Sequence, residues 1–162
     1  MPDDDNQDSA PKRVLVVHHT VSISTATVHE AVLAGLQVDE LAELEVTSLP
    51  ALTAGAHDTL RASGVVLLCP VNIGYLAGAM KHYFDQVYYP CLDATTSLPY
   101  AAVLHSNTDA AGALRALEAI TTGMKWHAVA DPLVVSGDPD DAMREQISEL
   151  ASTLGAYAAG LM

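Results

Sequence analysis

Hydroxyl side chains are concentrated in the segment "HHTVSIST", residues 18–25, which follows a run of β-branched residues. Thr20, Ser22, Ser24 and Thr25 come directly before a segment with helical periodicity. Hydroxyls, backbone N–H groups and the positive end of a helix dipole together form a site for an anion. Because the segment holds no Lys or Arg, a phosphate monoester would be bound there by neutral donors. The alternative is that Ser24 or Thr25 only caps the helix.

A second segment, "PVNIGY", offers a surface that suits a flat ligand. It follows the apolar run "GVVLLC" and carries one amide, Asn72, one aromatic ring, Tyr75, and no charge. A planar heterocycle needs both a face to stack on and hydrogen bonds at its edge. The alternative is that Tyr75 is a half-exposed packing residue, and Gly78 is expected to let the following helix pack closely on the sheet.

A third segment, "HSNTDAAG", carries small polar side chains after another apolar run. Ser106, Asn107 and Asp109 can form hydrogen bonds to the polar edge of a ring. The alternative is a solvated turn in which Thr108 or Asp109 caps the next helix.

Strand-like and helix-like segments alternate along the chain. Apolar strands are predicted at 13–17, 64–69 and 100–105, a less covered strand at 44–49, and a fifth within 126–136, where Pro132 indicates an edge or a bulge. Helices are predicted from Thr25, at 56–62, at 76–87, at 111–122, and from a cap at Asp138 followed by Pro139. The alternation predicts an α/β protein: a three-layer doubly wound sandwich with a five-stranded parallel sheet of order 2-1-3-4-5, flavodoxin-like.

This topology would bring the three polar segments to one crevice. Loops 18–25, 70–76 and 105–112 would meet at the carboxyl ends of the strands, at the switch point between strands 1 and 3. Strand alternation predicts that His18 points into the layer beside the sheet and that His19 points into the crevice. In the crevice, His19 can assist phosphate binding or proton transfer.

Two motifs resemble the flavodoxin family, and more closely its NAD(P)H-dependent FMN reductases and quinone reductases. The first is P-x3-G-x3-G-x2-K-x3-D, which is carried by Pro70, Gly74, Gly78, Lys81 and Asp85. The second is "HHTVSIST" between a strand and a helix, which is similar to the family's phosphate loop. The likeness spans residues 13–160, and "GYLAGAMKHYFDQ" with "YYPCLDA" resembles small actinobacterial flavodoxin-family proteins.

The phosphate loop departs from the family's pattern at one position. The family's glycine falls on Ile23, and a β-branched residue disfavours a positive φ. The loop is therefore expected to curl differently from that of the family.

The resemblance implies FMN, bound non-covalently, with NAD(P)H as the reductant and a quinone, a flavin or another small molecule as the acceptor. The positions that would bind FMN are His19, Thr20, Ser22, Ile23, Ser24 and Thr25 at the phosphate, Pro70, Val71, Asn72, Ile73, Gly74 and Tyr75 at the isoalloxazine, and Ser106, Asn107 and Asp109 at the ring's edge. No side chain is assigned as an acid, a base or a nucleophile.

The charge balance restricts the partners. With 7 basic and 20 acidic residues, the net charge of −13 argues against nucleic acid and anionic membranes and suits a basic redox partner protein. Without a basic leader or a membrane-length apolar run, a cytoplasmic protein is expected. Residues 1–12, "MPDDDNQDSAPK", are predicted to be a disordered acidic tail before a single domain at 13–162.

Three other functions remain open on the sequence. One is an electron carrier without its own substrate, and another is a non-catalytic flavin-binding module. The third is a metal site at His18, His19, His105 and Cys69, although H-x3-H and C-x2-C spacings are absent and no metal ligand is assigned. Tyr88, Tyr89 and Pro90 are predicted to lie away from the crevice and to serve packing or a homodimer contact.

Overall fold

The computed structural model describes residues 10–162 of the 162-residue chain. Its strands are β1 Arg13–His18, β2 Glu45–Pro50, β3 Gly64–Asn72, β4 Tyr75–Leu76, β5 Pro99–His105, β6 His127–Ala128 and β7 Leu133–Val135. Its helices are α1 Ile23–Leu36, α2 Ala56–Leu60, α3 Gly78–Cys91, α4 Ala111–Gly123 and α5 Asp141–Ala158, with a 3-10 turn at Asp39–Leu41. Most of the predicted acidic tail, residues 1–9, lies outside the described residues, and residues 10–12 form no regular element.

The main sheet has the predicted doubly wound order. β1 pairs in parallel with both β2 and β3, and β5 pairs in parallel with β3 on the far side. β6 and β7 both pair with β5, so the order is β2-β1-β3-β5, followed by β6 and β7 together. This confirms the α/β class and the 2-1-3-4-5 arrangement. The fifth strand is split in two, and Pro132, which cannot donate a ladder hydrogen bond, stands immediately before β7.

Helices cover both faces of the sheet. On one face, α1 and α5 bury side chains that include Val32 and Leu154 against Val14 and Val66. On the other face, α3 and α4 bury side chains that include Phe84 and Leu117 against Leu67. The two clusters alternate along each strand, as expected for strands that are buried on both sides. Within residues 10–162, every helix is too short or too polar to cross a membrane.

The tyrosine segment lies at the carboxyl end of α3, away from the ends of the strands that form the crevice. Tyr88 is half-buried and contacts the backbone at Gly123 so closely that a side chain there would overlap its hydroxyl. Tyr89 is exposed. Tyr88 therefore serves packing, while the predicted dimer contact stays a prediction.

A hairpin extends β3 beyond its predicted end. β3 continues to Asn72, and the chain turns back as β4, which pairs antiparallel with β3. The two turn residues, Ile73 and Gly74, have φ angles of 53° and 70°. These values are typical of a type I′ turn, which favours Asn-Gly and costs a β-branched residue about 1–3 kcal/mol of strain. The hairpin could not be predicted from the sequence, because isoleucine is not expected at the first turn position of a type I′ turn.

The hairpin turn lies against the start of α4. A Cβ atom on Gly112 would overlap the carbonyl oxygen of Gly74, so the hairpin can approach α4 this closely only because residue 112 is glycine. At Gly78, by contrast, a Cβ atom would meet nothing within 4 Å. The expectation that Gly78 allows close packing on the sheet is therefore wrong, because this residue is exposed at the first position of α3.

We expect Gly112→Ala to lower the free energy of unfolding by about 1–3 kcal/mol, because the hairpin must shift to admit the methyl group. The matched change Gly78→Ala should be neutral or stabilising by up to about 1 kcal/mol, since alanine favours a helix and space is free there. Urea unfolding of both variants measures the difference. Equal effects of the two changes would contradict the close contact between the hairpin and α4.

Candidate functional site

Four loops meet at the carboxyl edge of the sheet. They are residues 19–22 after β1, the hairpin turn 73–74 after β3, residues 106–110 after β5 and residues 136–140 after β7. The first three are the loops that the sequence predicts to converge. The fourth was not predicted to be part of the site, because Asp138 was interpreted as the cap of the last helix.

The first loop uses its own hydroxyls to bind its backbone. The N–H group of Thr25 donates to the Ser22 hydroxyl at 3.1 Å, and the Thr25 hydroxyl accepts from the N–H groups of Val21, at 3.1 Å, and Ser22, at 3.0 Å. Ser22 is the N-cap, and Thr25 is buried. A hydroxyl of this loop therefore caps the helix, as the capping alternative expects, but the residue is Ser22 rather than Ser24 or Thr25.

Ile23 is the first residue of α1, and its side chain is 86% exposed. It is not among the residues with positive φ, so the helix begins where the family's loop would have its glycine. The loop therefore differs from the family's pattern, as predicted, because Ile23 is part of α1.

Ser24 donates its hydroxyl hydrogen to the carboxylate of Asp138. The prediction that Asp138 caps the last helix is wrong, because Asp140 is the N-cap and accepts from the N–H group of Met143 at 2.8 Å. Asp138 is thereby left in the loop before the helix, and its negative charge lies at the amino end of α1.

The fourth loop is fastened to the third by three hydrogen bonds. His105 Nε2 lies 2.8 Å from the carbonyl oxygen of Gly137, and the Gly137 N–H group donates to Asn107 Oδ1 at 2.9 Å. The Ser136 hydroxyl donates to the carbonyl oxygen of Ser106 at 2.9 Å. These bonds fix the position of the residue that follows, Asp138, relative to the end of β5.

Three residues of the third loop were predicted to bond the edge of a ring. Two of them form hydrogen bonds to the backbone of the loop and of the start of α4 instead. Ser106 is buried and exchanges hydrogen bonds with the backbone of Thr108. Asp109 accepts from the N–H group of Ala111 at 2.9 Å, but the N-cap of α4 is Ala110, so the expectation that Thr108 or Asp109 caps this helix is wrong. Asn107 is exposed, and its amide nitrogen takes no part in the bond to Gly137. Asn107 is therefore the member of the set that can offer donors to a ligand.

The second loop presents its side chains to solvent beyond a buried base. Pro70 is buried and pairs with His105 in the sheet, and Val71 is half-buried. Asn72, Ile73 and Tyr75 are exposed. These positions are therefore compatible with a ligand surface. The exposed side chains would form that surface, and the buried Pro70 would lie beneath it.

Exposed apolar side chains are concentrated at this edge. Among residues 10–162, nine large apolar side chains are exposed, and five of them follow the carboxyl end of a strand: Val21, Ile23, Leu52, Ile73 and Tyr75. Such a grouping is typical of a ligand or interaction surface, because scattered exposed residues would not favour one edge.

Two histidines stack behind the first loop. The rings of His18 and His29 are 4.2 Å apart, and they lie within hydrogen-bond distance of the hydroxyls of Thr20, at 2.9 Å, and Ser48, at 2.8 Å. Burial, with the nearby His29 and His19, lowers the pKa of His18 to about 4, and burial lowers the pKa of His29 as well. Both rings are therefore neutral at pH 7. His18 reaches the α1 layer as predicted, and His19, whose N–H group donates to the Leu68 carbonyl oxygen at 2.9 Å, is half-buried at the edge.

The other residues considered for a metal site have structural roles. His105 is bonded to Gly137, and burial raises the pKa of the Cys69 thiol to about 11, which keeps it protonated. Within the described range, 10–162, no three His, Cys, Asp or Glu side chains are grouped so as to hold a metal ion.

No protein-family model and no curated protein sequence matches this chain. Its structure matches a flavodoxin from the domain Archaea with a TM-score of 0.75 at 15% identity, over 91% of this chain and 99% of that one. The chain has the flavodoxin fold. A second flavodoxin-fold match is the WrbA-like protein from Agrobacterium tumefaciens, with a TM-score of 0.72 at 14% identity, over 92% of this chain and 98% of that one.

The same fold also occurs inside a larger protein. The flavodiiron protein from Giardia intestinalis matches with a TM-score of 0.78 at 14% identity, over 91% of this chain but 36% of that one. Identities this low establish a shared flavodoxin fold and transfer no residue's role to this chain.

The carboxyl edge of the sheet suits the two parts of FMN unequally. Exposed apolar side chains, the Tyr75 ring and the Asn107 amide fit a flat ring with a polar edge. At the predicted phosphate position, the hydroxyls of Ser22, Ser24 and Thr25 are already bonded, and Asp138 adds a negative charge. The residues present therefore fit the isoalloxazine ring well and fit a phosphate poorly.

We expect the His18 ring to stay neutral down to about pH 4, so its proton NMR signals should not titrate near the ordinary pKa of 6.5. An unfolded chain would protonate His18 near pH 6.5 while the folded chain does not, so the His18 contribution to stability is complete above pH 6.5 and declines as the pH falls toward 4. The variant His18→Gln should show a shallower loss of unfolding free energy over that range. A titration midpoint near 6.5 in the folded protein would contradict the buried, neutral stack.

Proposed function

We propose that this chain binds the isoalloxazine ring of a flavin in the crevice and acts as a flavodoxin-fold oxidoreductase. The observation that carries the proposal is that five of the nine exposed large apolar side chains among residues 10–162 follow the carboxyl end of a strand. The most informative of the five is Ile73, which is fully exposed at the tip of a turn that strains a β-branched residue. Strain combined with an exposed apolar side chain is typical of a position kept for contact with a ligand.

The side chains at this edge suggest separate roles in binding the flavin ring. Ile73 and Tyr75, on a hairpin supported by α4, offer apolar contact to a ring and exclude water from one side of it. The amides of Asn72 and Asn107 suit its polar edge. The flavin, when bound, supplies hydride and electron transfer, while these residues supply orientation and the local dielectric.

The electron donor and acceptor belong to this proposal through the sequence resemblance. NAD(P)H would be the reductant, FMN is the form of flavin that the resemblance implies, and a quinone, another flavin or another small molecule would be the acceptor. The resemblance is an analogy of motif and fold, so a direct test of each partner is needed.

A second candidate function is an electron carrier that depends on a partner protein. The net charge of −13 favours it, because an acidic surface steers a basic partner into contact. A non-catalytic flavin-binding module would share the crevice and differ only in being redox-inactive.

Titration with riboflavin and with FMN, followed by flavin fluorescence, should show saturable binding of at least one flavin. Anaerobic addition of NADPH or NADH to the complex should then bleach the flavin absorbance if the chain is a reductase. Reduction only by a partner protein would favour the carrier. Failure of both flavins to bind would contradict the whole proposal.

The variant Ile73→Asn should separate stability from binding. Asparagine tolerates a positive φ, so the free energy of unfolding should rise by about 1 kcal/mol, while loss of the apolar contact should weaken flavin binding by about tenfold. Leu60→Asn is the matched control, because Leu60 is also exposed but ends α2, away from the crevice. Unchanged flavin affinity in Ile73→Asn would show that the hairpin does not contact the ring.

A further inference from the structure

The amino end of α1 already carries an anion that belongs to the chain. Asp138 accepts the hydroxyl hydrogen of Ser24, in the first turn of the helix. Negative charge is favourable at this end of a helix, whether a ligand or a side chain provides it. We propose that Asp138 is a specificity-determining residue: its carboxylate takes the place of a ligand phosphate, so the crevice binds riboflavin at least as tightly as FMN. The inference rests on the flavin site proposed above.

Several of the donors that a phosphate could use are already bonded within the loop. The N–H groups of Val21, Ser22 and Thr25 donate to the loop's own hydroxyls. The Ser24 hydroxyl donates to Asp138. A phosphate that used these donors would have to displace their present bonds, and that exchange would give little net gain.

The two loops that surround Asp138 contain no Lys or Arg to compensate its charge. These loops are residues 19–22 and 136–140, and the stacked His18 and His29 are neutral at pH 7. Arg144, in the first turn of α5, pairs with Asp141 at 3.6 Å and lines a surface groove with Thr27 and Glu30, one turn further along α1. A phosphate dianion beside Ser24 would therefore face the carboxylate of Asp138 directly.

The carboxylate is also held in position by the chain around it. The backbone of Gly137 is bonded on both sides, through its carbonyl oxygen to His105 and through its N–H group to Asn107. Ser136 is bonded to Ser106. Moving the backbone of Asp138 away from α1 would break these contacts, so like-charge repulsion could be relieved only by rotation of the Asp138 side chain, which would lose its bond to Ser24.

The test compares riboflavin and FMN affinities by fluorescence titration in the wild type, Asp138→Asn and Asp131→Asn. In the wild type, the dissociation constant for riboflavin should equal or lie below that for FMN. In Asp138→Asn, FMN should bind at least about tenfold more tightly than in the wild type, because removing one charge relieves the repulsion. The affinity for riboflavin should stay unchanged. Unchanged riboflavin binding also reports that the variant is folded.

Asp131→Asn is the matched control for net charge. Asp131 is exposed between β6 and β7, so its removal gives the same change in net charge without touching α1. It should leave the ratio of the two affinities unaltered. The variant Ser24→Ala removes the hydrogen bond but keeps the carboxylate, so FMN should gain nothing; a gain equal to that of Asp138→Asn would overturn the role of charge.

The remaining outcomes separate this inference from the flavin site itself. If the wild type binds FMN tenfold more tightly than riboflavin, or if Asp138→Asn does not change the ratio, the role of Asp138 is overturned while the flavin site stands. If neither flavin binds to any variant, the flavin site is overturned and this inference with it.

Discussion

The parallel pairing of β1 with both β2 and β3 is the constraint on which the rest of the structure depends. Because β1 has neighbours on both sides, the connection from β1 to β2 and the connection from β2 to β3 run in opposite directions along the sheet, and right-handed connections then place helices on both faces. The carboxyl ends of β1, β3 and β5 then meet at one edge. The pairing therefore brings the loops of the candidate site to the same edge.

The loops add a second level of order by binding one another. The third loop fastens the fourth through His105 and Asn107, and the fourth reaches the first through Asp138 and Ser24. The hairpin is set against α4 by the close approach at Gly112. The loops at this edge are therefore connected to one another, and many of their polar side chains form the hydrogen bonds that connect them. What this edge leaves exposed includes the apolar side chains of Val21, Ile23, Ile73 and Tyr75.

Much of the fold could be predicted from the sequence because the strands are apolar runs and the helices have clear stripes. The hairpin could not, since its turn places Ile73 where a left-handed conformation is unexpected. The meeting of three loops at one edge could also be predicted, but the hydrogen bonds within and between them could not. The cap of α5 could not be predicted because three aspartates lie within residues 138–141; in the structure Asp140 caps the helix and Asp138 is bonded to Ser24 on α1, a contact between residues far apart in sequence.

The two edges of the sheet differ in what they offer to another chain. On one side, the edge is broken into β6, of two residues, and β7, of three, with Pro132 between them. A strand from another molecule would find no continuous row of N–H and C=O groups there. Lengthening of the sheet by association would have to begin at β2, which is six residues long and itself ends in Pro50. The broken strand thus protects the fold against uncontrolled edge-to-edge assembly.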